Sequence, residues 1–156
     1  MFARVIGARV LGHLALTLLG LAALVGVQPH EAQALDGYLN RKRPLLIFSP
    51  SDSNPNYVRQ KNAINGNRIG ISDREIVVVY VIGSAIRTDF GPNPRMSAGA
   101  IRSRYRVSEG QFRILVLGKD GEVKRDIQTF VPINEIFAQI DQMPMRREEV
   151  RRKTER

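Results

Sequence analysis

The chain contains no cysteine in its 156 residues. Disulfides, thiol nucleophiles, thiolate metal sites and lipidation of a leader cysteine are therefore excluded. Histidine is almost as scarce, with His13 and His30 as the only two. Both precede residue 35, so residues 35–156 have no imidazole to act as a general base or metal ligand. Thiol–disulfide exchange, cysteine peroxidase chemistry and serine–histidine hydrolysis all lack a required group. No cofactor and no metal is expected. Acid is also in short supply, with 15 Asp and Glu against 24 Lys and Arg.

What the chain has begins with a leader. Arg4 and Arg9 open it, residues 14–27 are apolar and uncharged, and Ala32-Gln33-Ala34 forms a small-x-small cleavage signal after Pro29. The apolar run is too short to span a bilayer comfortably. Residues 1–34 are expected to be a signal peptide cleaved after Ala34, with an uncleaved anchor as the alternative. The expected location is the periplasm or the extracellular space, with no transmembrane anchor after cleavage. Without Arg4, Arg9 and Glu31, 22 basic residues remain against 14 acidic ones. An exported basic domain points to an envelope protein or an anionic surface as partner, and not to nucleic acid, which it rarely meets. The excess charge can equally serve solubility alone.

Residues 45–48 are a short apolar run suited to a strand covered on both faces, entered through Arg43-Pro44. Ser49, Pro50, Ser51, Asp52 and Ser53 suit a loop, and Asn54-Pro55 suits a helix N-cap and first position. That helix is expected to reach about Asn65, burying Tyr57, Val58 and Ile64. Residues 76–82, Ile-Val-Val-Val-Tyr-Val-Ile, are the clearest strand and favour parallel pairing with the first. Residues 83–95 read as a loop. A second helix is expected over residues 97–105 on Ala98, Ile101 and Tyr105, with Arg102, Arg104 and Arg106 on its polar side. Residues 112–117 and 123–129 form a hairpin around Asp120-Gly121. A last helix starts near Pro132, buries Ile133, Ile136, Phe137 and Ile140, and stops at Pro144. Residues 146–156 read as a frayed, solvated tail or a helix extension.

The order β-α-β-α-β-β-α predicts an α/β thioredoxin-like fold: a four-stranded mixed sheet with flanking helices. Two stretches carry a closer resemblance. Arg43-Pro44-Leu45-Leu46-Ile47-Phe48-Ser49-Pro50 is similar to the opening of the DUF4174 domain, a thioredoxin-like family of uncharacterised function. Residues 117–124, followed by Ile140-Asp141-Gln142-Met143-Pro144-Met145-Arg146-Arg147, resemble its second half. The resemblance spans residues 35–147, leaving 148–156 as a basic tail. It implies kinship with domains of extracellular matrix and sushi-repeat proteins and with exported bacterial single-domain proteins. It implies no established reaction. Working thioredoxins carry Cys-x-x-Cys after the first strand, where Pro50-Ser51-Asp52-Ser53-Asn54 stands here. They carry a cis-proline where Gly110-Gln111 stands.

The leading expectation is a non-catalytic binding or interaction module of the periplasm or cell envelope, with no catalytic residue assigned. Ser49, Ser51, Asp52, Ser53 and Asn54, with Lys119, are the candidate ligand-binding set, against plain helix capping. The alternative is a cysteine-independent enzyme using these Ser, Asp and Lys groups. Arg102, Arg104, Arg106, Arg146, Arg147, Arg151 and Arg152 are the candidate face for an anionic partner, attached electrostatically to the envelope surface.

Overall fold

The computed structural model describes residues 35–156; the expected leader at residues 1–34 lies outside them. Strand β1 (Arg43–Ser49) is buried along all seven residues. It pairs in parallel with β2 (Ile76–Ile82) and antiparallel with β4 (Arg113–Leu117). β3 (Ala85–Asp89) lies antiparallel outside β2, and β5 (Val123–Ile127) antiparallel outside β4. The sheet order is β3-β2-β1-β4-β5. Its four strands β2-β1-β4-β5, one parallel pair joined to an antiparallel hairpin, form the thioredoxin-like arrangement.

Side-chain alternation splits the core in two. Leu45, Ile47, Val78, Tyr80, Ile114 and Val116 face one side. There they meet Tyr57 and Ile64 of α1 (Pro55–Asn65), Ile71 of α2 (Arg68–Asp73), and Ile133, Ile136 and Ile140 of α4 (Ile133–Asp141). Leu46, Phe48, Val77, Val79, Val81, Leu115 and Leu117 face the other. They pack on Ala98 and Ile101 of α3 (Ala98–Tyr105), and on Leu35 and Tyr38 around a 3-10 turn. α4 has no side-chain cap at Pro132. A missing cap costs about 1 kcal/mol, whereas each buried isoleucine contributes about 2 kcal/mol, so the apolar stripe holds this helix.

Four expectations change. Residues 83–95 contain β3, turned back through Gly83-Ser84 with Gly83 at φ +51°; glycine takes that conformation without strain. The sheet therefore has five strands, the fifth added at one edge. Residues 68–73 form a further helix, α2, and only the short turn at Gly66-Asn67 separates it from α1. On α1 the buried side chain is Gln60, not Val58, which is 41% exposed. Gln60 Oε1 accepts from the Val131 amide at 3.1 Å, so a polar residue belongs on that face. Finally, Pro144 ends one helix and begins the next. It occupies the first turn of α5 (Pro144–Thr154), where proline's missing N–H costs nothing. Of the two readings of residues 146–156, the helix extension is the one observed, through Thr154. Among the described residues no helix is long and apolar enough to cross a membrane.

Candidate functional site

At the C-terminal end of β1 the polar loop satisfies itself. Ser49, fully buried, donates its hydroxyl to the Ser51 carbonyl at 2.6 Å. The Ser51 and Ser53 hydroxyls lie 3.0 Å apart. Asn54 Oδ1 accepts from the amides of Asn56 at 3.0 Å and Tyr57 at 3.3 Å, which is N-capping of α1. Asp52 is exposed in the turn.

Beneath this loop sits Arg102, only 4% exposed. It donates to the carbonyls of Ser49 at 3.0 Å, Val81 at 3.2 Å, Ser108 at 3.0 Å and Gly83 at 3.4 Å. Burial lowers its pKa from the usual guanidinium value. The expected basic face of α3 therefore loses Arg102, because its charge ties two strand ends to the loop before β4. Ala98, Ile101 and Tyr105 already define a stripe at spacings of three and four that includes position 102. Arg104 is exposed, its guanidinium 5.8 Å from the Tyr105 ring centre. Arg106, also exposed, takes the left-handed conformation (φ 53°) that ends α3.

Lys119 is not part of the serine loop. Leu45 pairs with Val116, so residues after Leu117 run past the N-terminal end of β1. The six-residue step from Arg43 to Ser49 separates the two ends by about 20 Å. A serine nucleophile in the loop thus has no Lys119 beside it. Lys119 instead joins an ionic network that sequence spacing did not reveal. Its Nζ contacts Glu75, and Glu149 at 2.7 Å. Arg43, 1% exposed, grips Glu149 through two bonds of 2.9 and 3.1 Å. Arg146, 5% exposed, contacts Asp73, and Asp141 at 3.2 Å. Arg74 holds Asp141 at 2.7 and 3.0 Å and lies 4.2 Å above the Phe137 ring. Burial raises the Glu149 pKa, but hydrogen bonds from Arg43 and Lys119 outweigh it and hold the carboxyl below its ordinary value. Asp141 is lowered in the same way, its burial outweighed by Arg74 and Arg146. Arg146 is therefore a strut of α5 and not part of an anion-binding face. Arg147, Arg151 and Arg152 are exposed, the last two paired with Glu148.

Above this network lies a groove of about 380 Å³. Met143, Pro144 and Met145 form one lip, Gly118 and Lys124 the other, and Arg43 lies in the wall. Every charge in the wall has a partner: Arg43 with Glu149, Lys119 with Glu75 and Glu149, and Lys124 with Asp120 and Glu122. The lining contains no hydroxyl nucleophile. Two of its residues carry a buried polar atom without a partner among the described residues, Arg43 Nε and Gln139 Oε1. Such an orphan costs about 1–3 kcal/mol.

Fold and site together define a thioredoxin-like domain in which helix capping fills the usual thiol position. Residues 34–149 match the family described as "Domain of unknown function (DUF4174)", and the chain belongs to that family. It is 31% identical over 109 residues to Sushi repeat-containing protein SRPX2 of Xenopus laevis, covering 66% of this chain and 23% of that protein. The Mus musculus protein of the same name is 26% identical over 129 residues, covering 80% and 27%. The chain thus spans about a quarter of the length of these curated relatives. A solved thioredoxin-fold protein from Helicobacter pylori aligns with TM-score 0.48 and 15% identity, covering 66% of this chain and 69% of that one.

Proposed function

We propose that this protein is an exported, non-catalytic binding module of the periplasm or cell envelope, and that it holds a partner segment in the Met143–Met145 groove. The observation that carries this reading is the groove's chemistry: a concave, largely apolar wall whose charges are already neutralised by one another. Such a wall favours an apolar side chain over a free ion, and methionine lips adapt to the occupant. The leader pattern of residues 1–34 supports export.

The test is capture from envelope extract on immobilised protein, washed at low and high salt. The expected result is a partner retained at high salt and lost from the Met143→Gln/Met145→Glu variant. Capture that is insensitive to that variant overturns the reading. Arg147, Arg151 and Arg152 on the exposed side of α5 favour a second reading, electrostatic attachment to an anionic surface. That reading predicts release at high salt and loss on replacing these three arginines with glutamine.

A further inference from the structure

On the sheet's other flank a cleft of about 430 Å³ is lined by Gly37, Tyr38, Arg41, Pro92, Asn93, Pro94 and Arg95. Its electrostatics are the reverse of the groove's. Arg41 and Arg95 have no ion-pair partner among the described residues, and no carboxylate lines the wall. The walls are held in place. The Tyr38 hydroxyl donates to the Pro92 carbonyl, tying the 3-10 turn to the loop after β3. Gly91 lies so close to the sheet that a Cβ there would meet Val77 Cγ2 at 2.7 Å. Proline at 92 and 94 further restricts that loop.

We propose that this cleft binds a phosphomonoester. A carboxylate carries one charge and is matched by one guanidinium fork. Two uncompensated guanidinium groups in one cleft match the charge of about −1.5 to −2 that a phosphomonoester bears at pH 7. Pro92 and Pro94 supply an apolar surface for the body of the ester. The site is separate from the Met143–Met145 groove, so its success or failure leaves that reading untouched.

The experiment titrates the protein with phenyl phosphate by calorimetry at low salt, beside phenylacetate as a monoanion of similar shape. Phenyl phosphate should bind several-fold more tightly. Arg41→Gln and Arg95→Gln should each weaken it about tenfold, the scale of one charge-assisted hydrogen bond. Arg156→Gln, distant in sequence and equal in charge change, should leave it unaltered. Lowering the pH from 7.5 to 5 should weaken binding as the ester gains a proton. Flotation with phosphatidic acid vesicles, against phosphatidylcholine vesicles, distinguishes a lipid headgroup from a soluble ester; either source supports the site if both arginine variants lose it. Equal affinity for phenylacetate overturns the proposal, as does binding that Arg156→Gln weakens as much as the other two. So does the absence of arginine-dependent binding to either source.

Discussion

At one end β1 runs into Ser49, Ser51, Ser53 and Asn54, whose side chains bond each other and backbone groups no more than three residues away. At the other it begins with Arg43, whose guanidinium holds Glu149, 106 residues along the chain. The first end's side-chain bonds are polar and local, while Arg102 reaches its Ser49 carbonyl from α3. The second is ionic and long-range, and it closes the last helix onto the sheet. In this fold the loop end is where thiol chemistry is usually kept, yet here Asn54 caps α1 and the serine hydroxyls bond within the loop. The better-formed groove lies at the ionic end.

The comparison breaks most easily at the buried guanidinium groups. Removing Arg43 leaves Glu149 half-paired and the Arg74 carbonyl, which accepts from Arg43 at 2.9 Å, without that donor. Arg43→Ala should cost about 2–3 kcal/mol in urea unfolding, the scale of losing charge-assisted bonds while Lys119 still pairs Glu149. Arg102→Ala should cost a comparable amount, because four carbonyls lose that charged donor. Removing Arg43 and Glu149 together should cost less than the two single losses combined. A loss below about 1 kcal/mol for Arg43→Ala would show the network to be ornamental.

Acid should act on the ionic end next. Hydrogen bonds from Lys153, then Arg146, lower the Asp73 pKa, while those on Asp141 and Glu149 prevail over burial. Carboxyls depressed on folding contribute stability that is fully present above their unfolded values, about 4. That stability is lost as pH falls through the folded values. The thermal midpoint should therefore drop below about pH 4.5. Glu149→Gln should lower the midpoint at pH 7 and make the acid decline shallower. An acid decline of unchanged steepness would remove Glu149 from this account.

Among the loop's own side chains the largest single effect should be Asn54→Ala, about 1 kcal/mol from loss of the α1 cap. Thermal unfolding measures it, and Asn54→Asp should retain most of the stability. A cost near 3 kcal/mol would make this end as critical as the other.

How much of this is visible in the sequence follows from the same contrast. β1, β2, α1, α4 and the β4–β5 hairpin carry local signals: apolar runs, Asn54-Pro55, the isoleucine stripe and Asp120-Gly121. β3 is harder to see because Arg87, Thr88 and Asp89 make an edge strand polar, although Gly83-Ser84 is a hairpin turn signal. α5 has no apolar stripe; only Arg146 is buried, through carboxylates on other elements. Hydrophobic periodicity does not register such a helix. The groove draws on residues 43, 118–124 and 139–145, which only the fold brings together. Arg43 and Arg102 did leave a trace. Arg43 shares strand parity with Leu45 and Ile47, and Arg102 falls on the Ala98–Ile101–Tyr105 stripe.

The smallest expected effect is also the sharpest test of the loop. Ser51 and Ser53 bond each other at the surface, where water replaces either hydroxyl at little cost. The double variant Ser51→Ala/Ser53→Ala should change stability by no more than about 0.5 kcal/mol. It should also capture the same envelope partner as the wild type, since the groove lies about 20 Å away across β1. A stable double variant that fails to capture the partner would return function to the loop. It would also mean that the Ser51–Ser53 contact serves a ligand as well as the turn.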